Sequence, residues 1–371
     1  MTALLQLPQI HVRGTPAELG RGQGEQLKPL IGAFVEQRLR AAKVYLYERG
    51  IRDEQTFRDL GRRCLEALKS WDNDGWVEHM ALAEAAGVDA VDLYTTGNMT
   101  DIRDILALPQ KTDSAASAAI TVDAEGCTTA LIPGSHSADG AVIAAQTWDL
   151  NPTDLDYVVS IHRQPTEGTT INPETWSVTC AGCPSLMGMN ANGVAVGTTN
   201  IKARGSRVGI PYLSLLHKAL RSPDRASALK AIIEAPRAAA HTYWAADASG
   251  VDDIECTAIS HVKRRGDRPL TRTNHCQDPS NARIEGEAAT SSSKARLARV
   301  TGWLGDGKQS VERLKAMFAD RSDGVDSVNR FPEDNQGTST NACLIAIPAR
   351  RELHACRGPS DRGEWVLLRF G

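Results

Sequence analysis

The chain has 371 residues, a formal net charge of −3, and 41% hydrophobic and 23% charged residues. This composition is typical of a globular protein and argues against a nucleic-acid or membrane-surface function, which depends on an excess of basic residues. No apolar run is long enough for a membrane span, no signal peptide is recognisable and the eight cysteines are scattered, so we expect a cytoplasmic protein with reduced thiols.

The first third of the chain is predicted to be mainly helical. Thr15 is expected to cap a helix that begins at Pro16, and Pro29 is expected to kink or split that helix. The segment Gly20-Arg21-Gly22-Gln23-Gly24 follows no strand and lacks the Lys-Ser/Thr ending of a phosphate-binding loop, so it is interpreted as part of the helix. The spacing of apolar residues predicts further helices over 53–70, 76–86 and from 91 to 98, and the composition of 109–124 predicts a loop that leads to a processing site.

From Cys127 onward, short strands joined by Gly, Asn and Asp turns dominate, and Asn192-Gly193 predicts a hairpin. The basic cluster Lys263-Arg264-Arg265 is interpreted as a solvated turn. The predicted strands are 127–132, 141–150, 157–164, 176–180, 185–190, 194–201, 241–248, 253–260, 342–348, 352–356 and 365–370, and the predicted helices are 211–221, 223–234, 291–304 and 310–320. This order predicts an α+β fold in which two stacked sheets lie between helices, a four-layer αββα sandwich.

The segment Glu125-Gly126-Cys127-Thr128-Thr129 indicates a processing site. If the bond between Gly126 and Cys127 is cut, Cys127 carries both a thiol and a free α-amino group, whose ordinary pKa values lie near 8.5 and 7.7–8.0. A single residue then contains a nucleophile and its own general base. We therefore predict a precursor that divides into a helical leader, 1–126, as the small α subunit, and a β subunit, 127–371, with the two fragments remaining associated.

Two motifs carry a family resemblance: Cys127-Thr128-Thr129-Ala130 and Gln146-Thr147-Trp148-Asp149. They resemble the acyl-coenzyme A:isopenicillin N acyltransferase family, whose members are self-cleaving N-terminal-nucleophile cysteine hydrolases related to the choloylglycine hydrolases. The chain departs from the family pattern at Thr147, where the family has Asn, and at Phe331, where the family often has His. Further matches follow in order at Gly188-Met189-Asn190-Ala191-Asn192-Gly193-Val194, Thr199-Asn200, Thr273-Asn274-His275 and Ser327-Val328-Asn329-Arg330.

The resemblance implies a role for each matching residue. Asp149 is expected to orient the α-amino group of Cys127, Asn274 to stabilise the oxyanion, and Arg330 to lie near the thiolate. Asn200 is expected to contact the substrate. The implied reaction cleaves or transfers the acyl group of a small N-acyl amide, breaking a carbon–nitrogen bond through a Cys127 thioester, with neither a metal nor a cofactor.

Other interpretations of the sequence are weaker. His275 permits a papain-like Cys–His pair, but Cys127 opens a strand and not a helix. The pair Cys180 and Cys183 lacks the second pair of a zinc site and is interpreted as structural thiols. The alternative function is a non-catalytic binding protein on the same scaffold. The sequence leaves open the substrate, the choice between hydrolysis and transfer, and whether the chain forms a homo-oligomer.

Overall fold

The computed structural model describes residues 3–48, 50, 54–108, 126–166 and 173–371. In these residues the strands are β1 (Gln9–Gly14), β2 (Thr128–Ile132), β3 (Ile143–Leu150), β4 (Val158–Pro165), β5 (Thr175–Cys180), β6 (Met187–Asn190), β7 (Ala195–Asn200), β8 (His241–Asp247), β9 (Gly250–Cys256), β10 (His261–Arg265), β11 (Leu270–Arg272), β12 (Ser339–Ile347), β13 (Glu352–Arg357) and β14 (Val366–Leu368). The helices are α1 (Pro16–Glu48), α2 (Glu54–Trp71), α3 (Asn73–Ala86), α4 (Ala90–Gly97), α5 (Met99–Ala107), α6 (Tyr212–Leu220), α7 (Arg225–Glu234), α8 (Pro279–Ala282), α9 (Ser291–Gly305) and α10 (Val311–Phe318).

The strands form two sheets that face each other. One sheet has the order β1-β4-β5-β6-β7-β8-β9-β10 and the other has the order β11-β2-β3-β12-β13-β14. Strand β3 contacts β7 and strand β12 contacts β6, so the inner faces of the sheets meet at their centres. Gln146 on β3 joins the sheets, because its Oε1 accepts hydrogen bonds from Thr198 N at 2.9 Å and from Trp244 Nε1 at 2.7 Å.

Helices cover the outer faces of both sheets. Helices α1, α6 and α7 contact strands of the eight-stranded sheet, and α9 and α10 contact strands of the six-stranded sheet. All side chains of β3 and β12 are buried, because each of these central strands has a sheet on one side and helices on the other. The predicted four-layer αββα sandwich is confirmed.

The leader is less purely helical than the sequence suggested. Strand β1 pairs in parallel with β4, so the leader contributes an edge strand to the eight-stranded sheet. Helix α1 begins as predicted with Thr15, whose backbone N–H donates to Glu18 Oε2 at 2.7 Å. Pro29 lies inside α1 without splitting it. Gly24 lets α1 approach α3 closely, since a Cβ at this position would lie 2.5 Å from the backbone oxygen of Leu82.

The basic cluster Lys263-Arg264-Arg265 was wrongly predicted as a turn. These residues belong to β10, an edge strand that pairs antiparallel with β9. Arg264 pairs with Asp253 across the two strands at 2.7 Å. Charged side chains are common on edge strands because they disfavour pairing with other molecules. The predicted loop over 109–124 lies outside the described residues, and none of the described helices is long and apolar enough to cross a membrane.

Candidate active site

Strand ends from both sheets surround Cys127. Cys127 directly precedes β2, Asp149 is near the end of β3, and Asn200 is the last residue of β7. These three side chains line one cavity, with an empty volume of about 320 Å³, together with Trp148, Leu150, Leu186, Tyr212 and His241. The fold therefore brings Cys127 and Asn200, which are 73 positions apart in the sequence, to the same cavity. Trp148, Leu150 and Leu186 make part of the wall apolar.

The peptide bond between Gly126 and Cys127 lies in a dense polar environment. The Gly126 N–H donates to the backbone oxygen of Asp149 at 3.3 Å. The Gly126 carbonyl oxygen accepts from Nη1 of Arg296 at 2.9 Å, and the same nitrogen donates to the Cys127 carbonyl oxygen at 2.6 Å and to Thr128 Oγ1 at 2.9 Å. A single guanidinium therefore polarises the carbonyl group of Gly126.

Sequence reasoning did not identify Arg296. It lies on α9 and is completely buried, and burial lowers its pKa to about 10, while the charge of Asp149 acts in the opposite direction. Arg296 therefore remains protonated at neutral pH. Its Nε donates to Ser292 Oγ at 3.1 Å, one turn earlier on the same helix, which fixes the direction of the side chain. In the sequence, Arg296 is distinguished only as an arginine on a predicted helix, and such arginines are usually exposed.

Arg296 also holds Asn274. Nη2 of Arg296 donates to Asn274 Oδ1 at 3.0 Å, and Asn274 Nδ2 donates to the backbone oxygen of Asn200 at 3.1 Å. The backbone N–H of Asn274 donates to Ser293 Oγ at 2.9 Å. Because the arginine requires the amide oxygen, the amide nitrogen must face the opposite way. This nitrogen carries a second N–H, which can donate to an oxyanion.

Arg330 and Asp149 also lie against Gly126. A Cβ built on Gly126 would collide with Nη1 of Arg330 and lie 2.9 Å from Oδ2 of Asp149. Arg330 is buried, and Thr340 holds its backbone in place. The backbone N–H of Thr340 donates to the Arg330 carbonyl oxygen at 3.0 Å, and the Arg330 N–H donates to Thr340 Oγ1 at 3.0 Å. The structure thus brings Gly126, Cys127, Asp149 and Arg330 together, with Asn200 and Asn274 linked to them through the cavity wall and Arg296. Their catalytic roles remain predictions.

The structure shows the contacts of Thr147 and Phe331, the two residues that depart from the family pattern. Thr147 faces Thr128 across β2 and β3, and its Oγ1 accepts the backbone N–H of Thr128 at 3.2 Å. The hydroxyl of Thr147 therefore anchors the strand that begins beside Cys127. Phe331 packs under two guanidinium groups, with the Cζ atoms of Arg321 and Arg362 at 4.2 and 3.5 Å from the ring centre. It is thus held in a surface cation–π cluster.

The weaker sequence candidates are occupied elsewhere. His275 Nδ1 bonds with Ser293 Oγ at 2.7 Å, and His275 is not among the side chains that line the Cys127 cavity. Cys180 and Cys183 are buried, and burial raises the pKa of the Cys183 thiol to about 12, as expected of structural thiols. In the part of the chain that the structure describes, no group of three or more His, Cys, Asp or Glu side chains is arranged to hold a metal ion.

Comparison with known families supports the resemblance. Residues 136–361, more than half of the chain, match the family model described as acyl-coenzyme A:6-aminopenicillanic acid acyl-transferase. The chain belongs to this acyl-transferase family. It is therefore an enzyme that moves an acyl group to or from nitrogen. The match begins after Cys127, so it does not itself include the predicted nucleophile.

The solved structures that are similar to the chain include an acylase and a hydrolase. One is penicillin V acylase from Agrobacterium tumefaciens, with 14% identity, a TM-score of 0.44, and 65% of this chain and 86% of that chain covered. The other is a mutant of the conjugated bile acid hydrolase from Clostridium perfringens, with 10% identity, a TM-score of 0.36, and 66% of this chain and 97% of that chain covered. A comparison with curated proteins gives no match.

In this member of the acyl-transferase family, we expect Asp149 to make the stability of the uncut chain depend on pH. Burial raises the pKa of Asp149 to about 6, although Arg296 and Arg330 act in the opposite direction. An unfolded Asp titrates near 3.9, so the folded chain binds this proton more tightly. The stabilisation is fully present below about pH 4 and is lost as the pH rises through about 6, a change on the order of 1–3 kcal/mol in the free energy of unfolding.

The measurement compares a Cys127→Ala chain with a Cys127→Ala/Asp149→Asn chain by urea unfolding between about pH 4 and pH 7. The single variant should lose stability relative to the double variant as the pH rises. Other titrating groups affect both proteins alike and cancel in the difference. A difference that does not change with pH would contradict the assignment of the raised pKa to Asp149.

Gly126→Ala is expected to disturb the same group of residues. The added methyl must displace the Arg330 guanidinium and press on Asp149, and such overpacking costs about 1–3 kcal/mol. We expect a lower urea midpoint in the Cys127→Ala background, and slower cutting in the otherwise native chain. Gly32→Ala is the matched control, because a Cβ on Gly32 has no atom within 4 Å. Equal urea midpoints for Gly126→Ala and the control would show that the position has room for a side chain.

Proposed function

We propose that the chain cuts itself between Gly126 and Cys127 and that Cys127 then acts as the N-terminal nucleophile of an amidohydrolase or N-acyltransferase for small N-acyl amides. The observation that carries this proposal is the placement of the Gly126 carbonyl on Arg296, beside a cavity that holds Cys127, Asp149 and Asn200. Family membership supports acyl transfer as the type of reaction.

The position of Arg296 beside the Gly126 carbonyl supports self-cleavage. The Cys127 sulfur attacks the Gly126 carbonyl carbon, and the negative charge that develops on the carbonyl oxygen lies 2.9 Å from Arg296 Nη1. The carbon–nitrogen bond then breaks, the nitrogen takes the thiol proton, and a thioester links Gly126 to the Cys127 sulfur. Water hydrolyses the thioester, which leaves a carboxylate on Gly126 and a free amine and thiol on Cys127.

The mature reaction uses the same sulfur. The α-amine of Cys127 removes the thiol proton, and the sulfur attacks the carbonyl carbon of the substrate amide. The second N–H of Asn274 stabilises the oxyanion, a contribution of roughly 2.7–4 kcal/mol to the barrier when such a donor is removed. The α-ammonium returns the proton to the leaving amine. Water or another amine then takes the acyl group from the sulfur.

The two fragments remain one molecule after the cut. Buried ion pairs join the leader to the rest of the chain, including Glu78 with Arg163 at 2.7 Å and Arg38 with Asp154 at 2.5 Å. Strand β1 adds backbone hydrogen bonds along β4. Separation would leave several charges buried without partners on either fragment, which strongly favours association.

The cavity indicates the kind of acyl group that fits. Trp148, Leu150, Leu186 and Tyr212 line it beside the nucleophile, so part of the acyl group is apolar.

The test combines intact-mass analysis of the purified chain with a panel of small N-acyl amides, with and without an added amine acceptor. We expect a cut after Gly126 and release of the free amine from at least one amide. Acyl transfer to the added amine would identify an acyltransferase, whereas release of the free acid alone would identify a hydrolase. An uncut chain that binds amides without turnover would instead support the non-catalytic alternative.

A further inference from the structure

One buried ring nitrogen in the Cys127 cavity lacks a partner. His241 is the first residue of β8, faces Asn200 across the sheet, and lines the same cavity as Cys127. Its side chain is 1% exposed. Nε2 of His241 bonds with Asp101 Oδ1 at 2.6 Å, whereas Nδ1 has no hydrogen-bond partner among the described residues. A buried polar atom without a hydrogen-bond partner destabilises the folded chain, so a ligand that supplies this hydrogen bond binds more favourably.

The surroundings fix both the orientation and the tautomer of this ring. Asp101 Oδ2 also accepts the backbone N–H of Tyr212 at 3.0 Å, which holds the carboxylate in place. The Tyr212 ring stacks on the imidazole with 4.6 Å between ring centres and 20° between planes. A carboxylate only accepts hydrogen bonds, so the proton of the neutral imidazole lies on Nε2 and Nδ1 is an acceptor.

We propose that Nδ1 of His241 accepts a hydrogen bond from a hydroxyl or N–H group of the substrate. The preferred substrates are then N-acyl amides that carry such a donor in addition to the scissile amide. This inference rests on the proposed function, and it assigns Asp101, a leader residue, as the positioning residue for His241. The leader thus forms part of the substrate site.

The test uses matched pairs of N-acyl-4-nitroanilides that differ by one hydroxyl in place of hydrogen, such as butyryl against its three monohydroxy derivatives and phenylacetyl against its hydroxyphenyl derivatives. We expect the wild-type enzyme to favour the hydroxylated member of at least one pair by roughly three- to tenfold in kcat/KM, the range of one net hydrogen bond. Equal kcat/KM values within every pair would overturn the inference.

His241→Gln separates recognition from a structural role. The glutamine NH₂ group retains a donor for Asp101, but with that group on Asp101 the amide oxygen does not lie at the position of Nδ1. The preference within the pair should disappear, whereas a purely structural effect would lower kcat/KM equally for both members. His261→Gln on the exposed β10 strand is the matched control and should retain the preference. Survival of the preference in His241→Gln would overturn the inference.

Calorimetric binding of the same pairs to the Cys127→Ala chain gives the comparison without turnover. The hydroxylated member should bind more tightly than its partner, and equal affinities would count against a role for His241. Failure of the proposed function looks different: in that case the wild-type chain is not cut and hydrolyses neither member of any pair.

Discussion

Replacement of Cys127 by alanine is expected to abolish both the cut and the turnover of amides, because one sulfur performs both of the proposed reactions. A denaturing gel of the wild-type chain should show fragments of 126 and 245 residues, about 14 and 26 kDa in proportion to length. The Cys127→Ala chain should remain a single 40.0 kDa band. Without the thiol, neither the thioester with Gly126 nor the acyl-enzyme can form.

Two further variants test whether the loss of cutting and turnover in Cys127→Ala is specific to this thiol. Cys64→Ala is the matched control, because Cys64 is a buried thiol on α2 whose pKa is raised to about 11 by burial, which makes it unreactive. This variant should be cut and active. Cys127→Ser should be cut slowly, since a hydroxyl is a weaker nucleophile. Amide turnover that persists at the wild-type rate in Cys127→Ala would refute the mechanism.

Changes at Arg296 are expected to slow self-cleavage by roughly 10²–10³-fold, the usual effect of losing one oxyanion donor. In Arg296→Gln, the Gly126 carbonyl loses the donor 2.9 Å away, and the Asn274 amide loses the group that orients it. Arg296→Lys retains the charge, but an ammonium group lacks the two NH₂ groups that bond the Gly126 carbonyl oxygen and Asn274 Oδ1 at the same time. Its effect on the rate of cutting should therefore be intermediate. The measurement is the fraction of cut chain over time after synthesis.

Arg299→Gln is the matched control, because Arg299 lies on the same helix and pairs with Asp323 at the surface. It should be cut at the wild-type rate. Since Arg296 is completely buried, its variants require a check of folding by circular dichroism. Ser292→Ala is the milder variant, as it removes only the partner of Arg296 Nε and should slow cutting several-fold. Wild-type cutting in folded Arg296→Gln, or in Ser292→Ala if the former does not fold, would exclude the assigned role.

Much of the fold could be predicted from the sequence, because alternation and helical spacing reflect which faces are buried. The order of strands after Cys127 and the long helix from Pro16 to Glu48 are examples. The candidate site residues were found through motif order. Asp149 and Asn200 are distant from Cys127 in sequence, but the ends of β3 and β7 bring them to its cavity.

The features that were missed depend on tertiary contacts. Arg296 is important because it donates a hydrogen bond to the carbonyl oxygen of Gly126, 170 residues earlier in the chain. The residues around Arg296 in the sequence do not predict this contact. Strand β1 is a short segment whose pairing partner lies beyond the whole leader. Strand β10 is rich in Lys and Arg, which favour solvent, and it is formed through pairing with β9. Helix α5 follows α4 directly after Asn98, so the sequence showed one helix in place of two.

The parallel pairing of β1 with β4 affects how residues 127–371 can be produced. Residues 127–371 expressed alone would expose the backbone edge of β4, and an open edge recruits strands from other molecules and promotes aggregation. The leader thus resembles a permanent subunit more than a disposable propeptide. Recombinant production should begin from the 371-residue chain, so that β1 covers the edge of β4 while the sheet assembles.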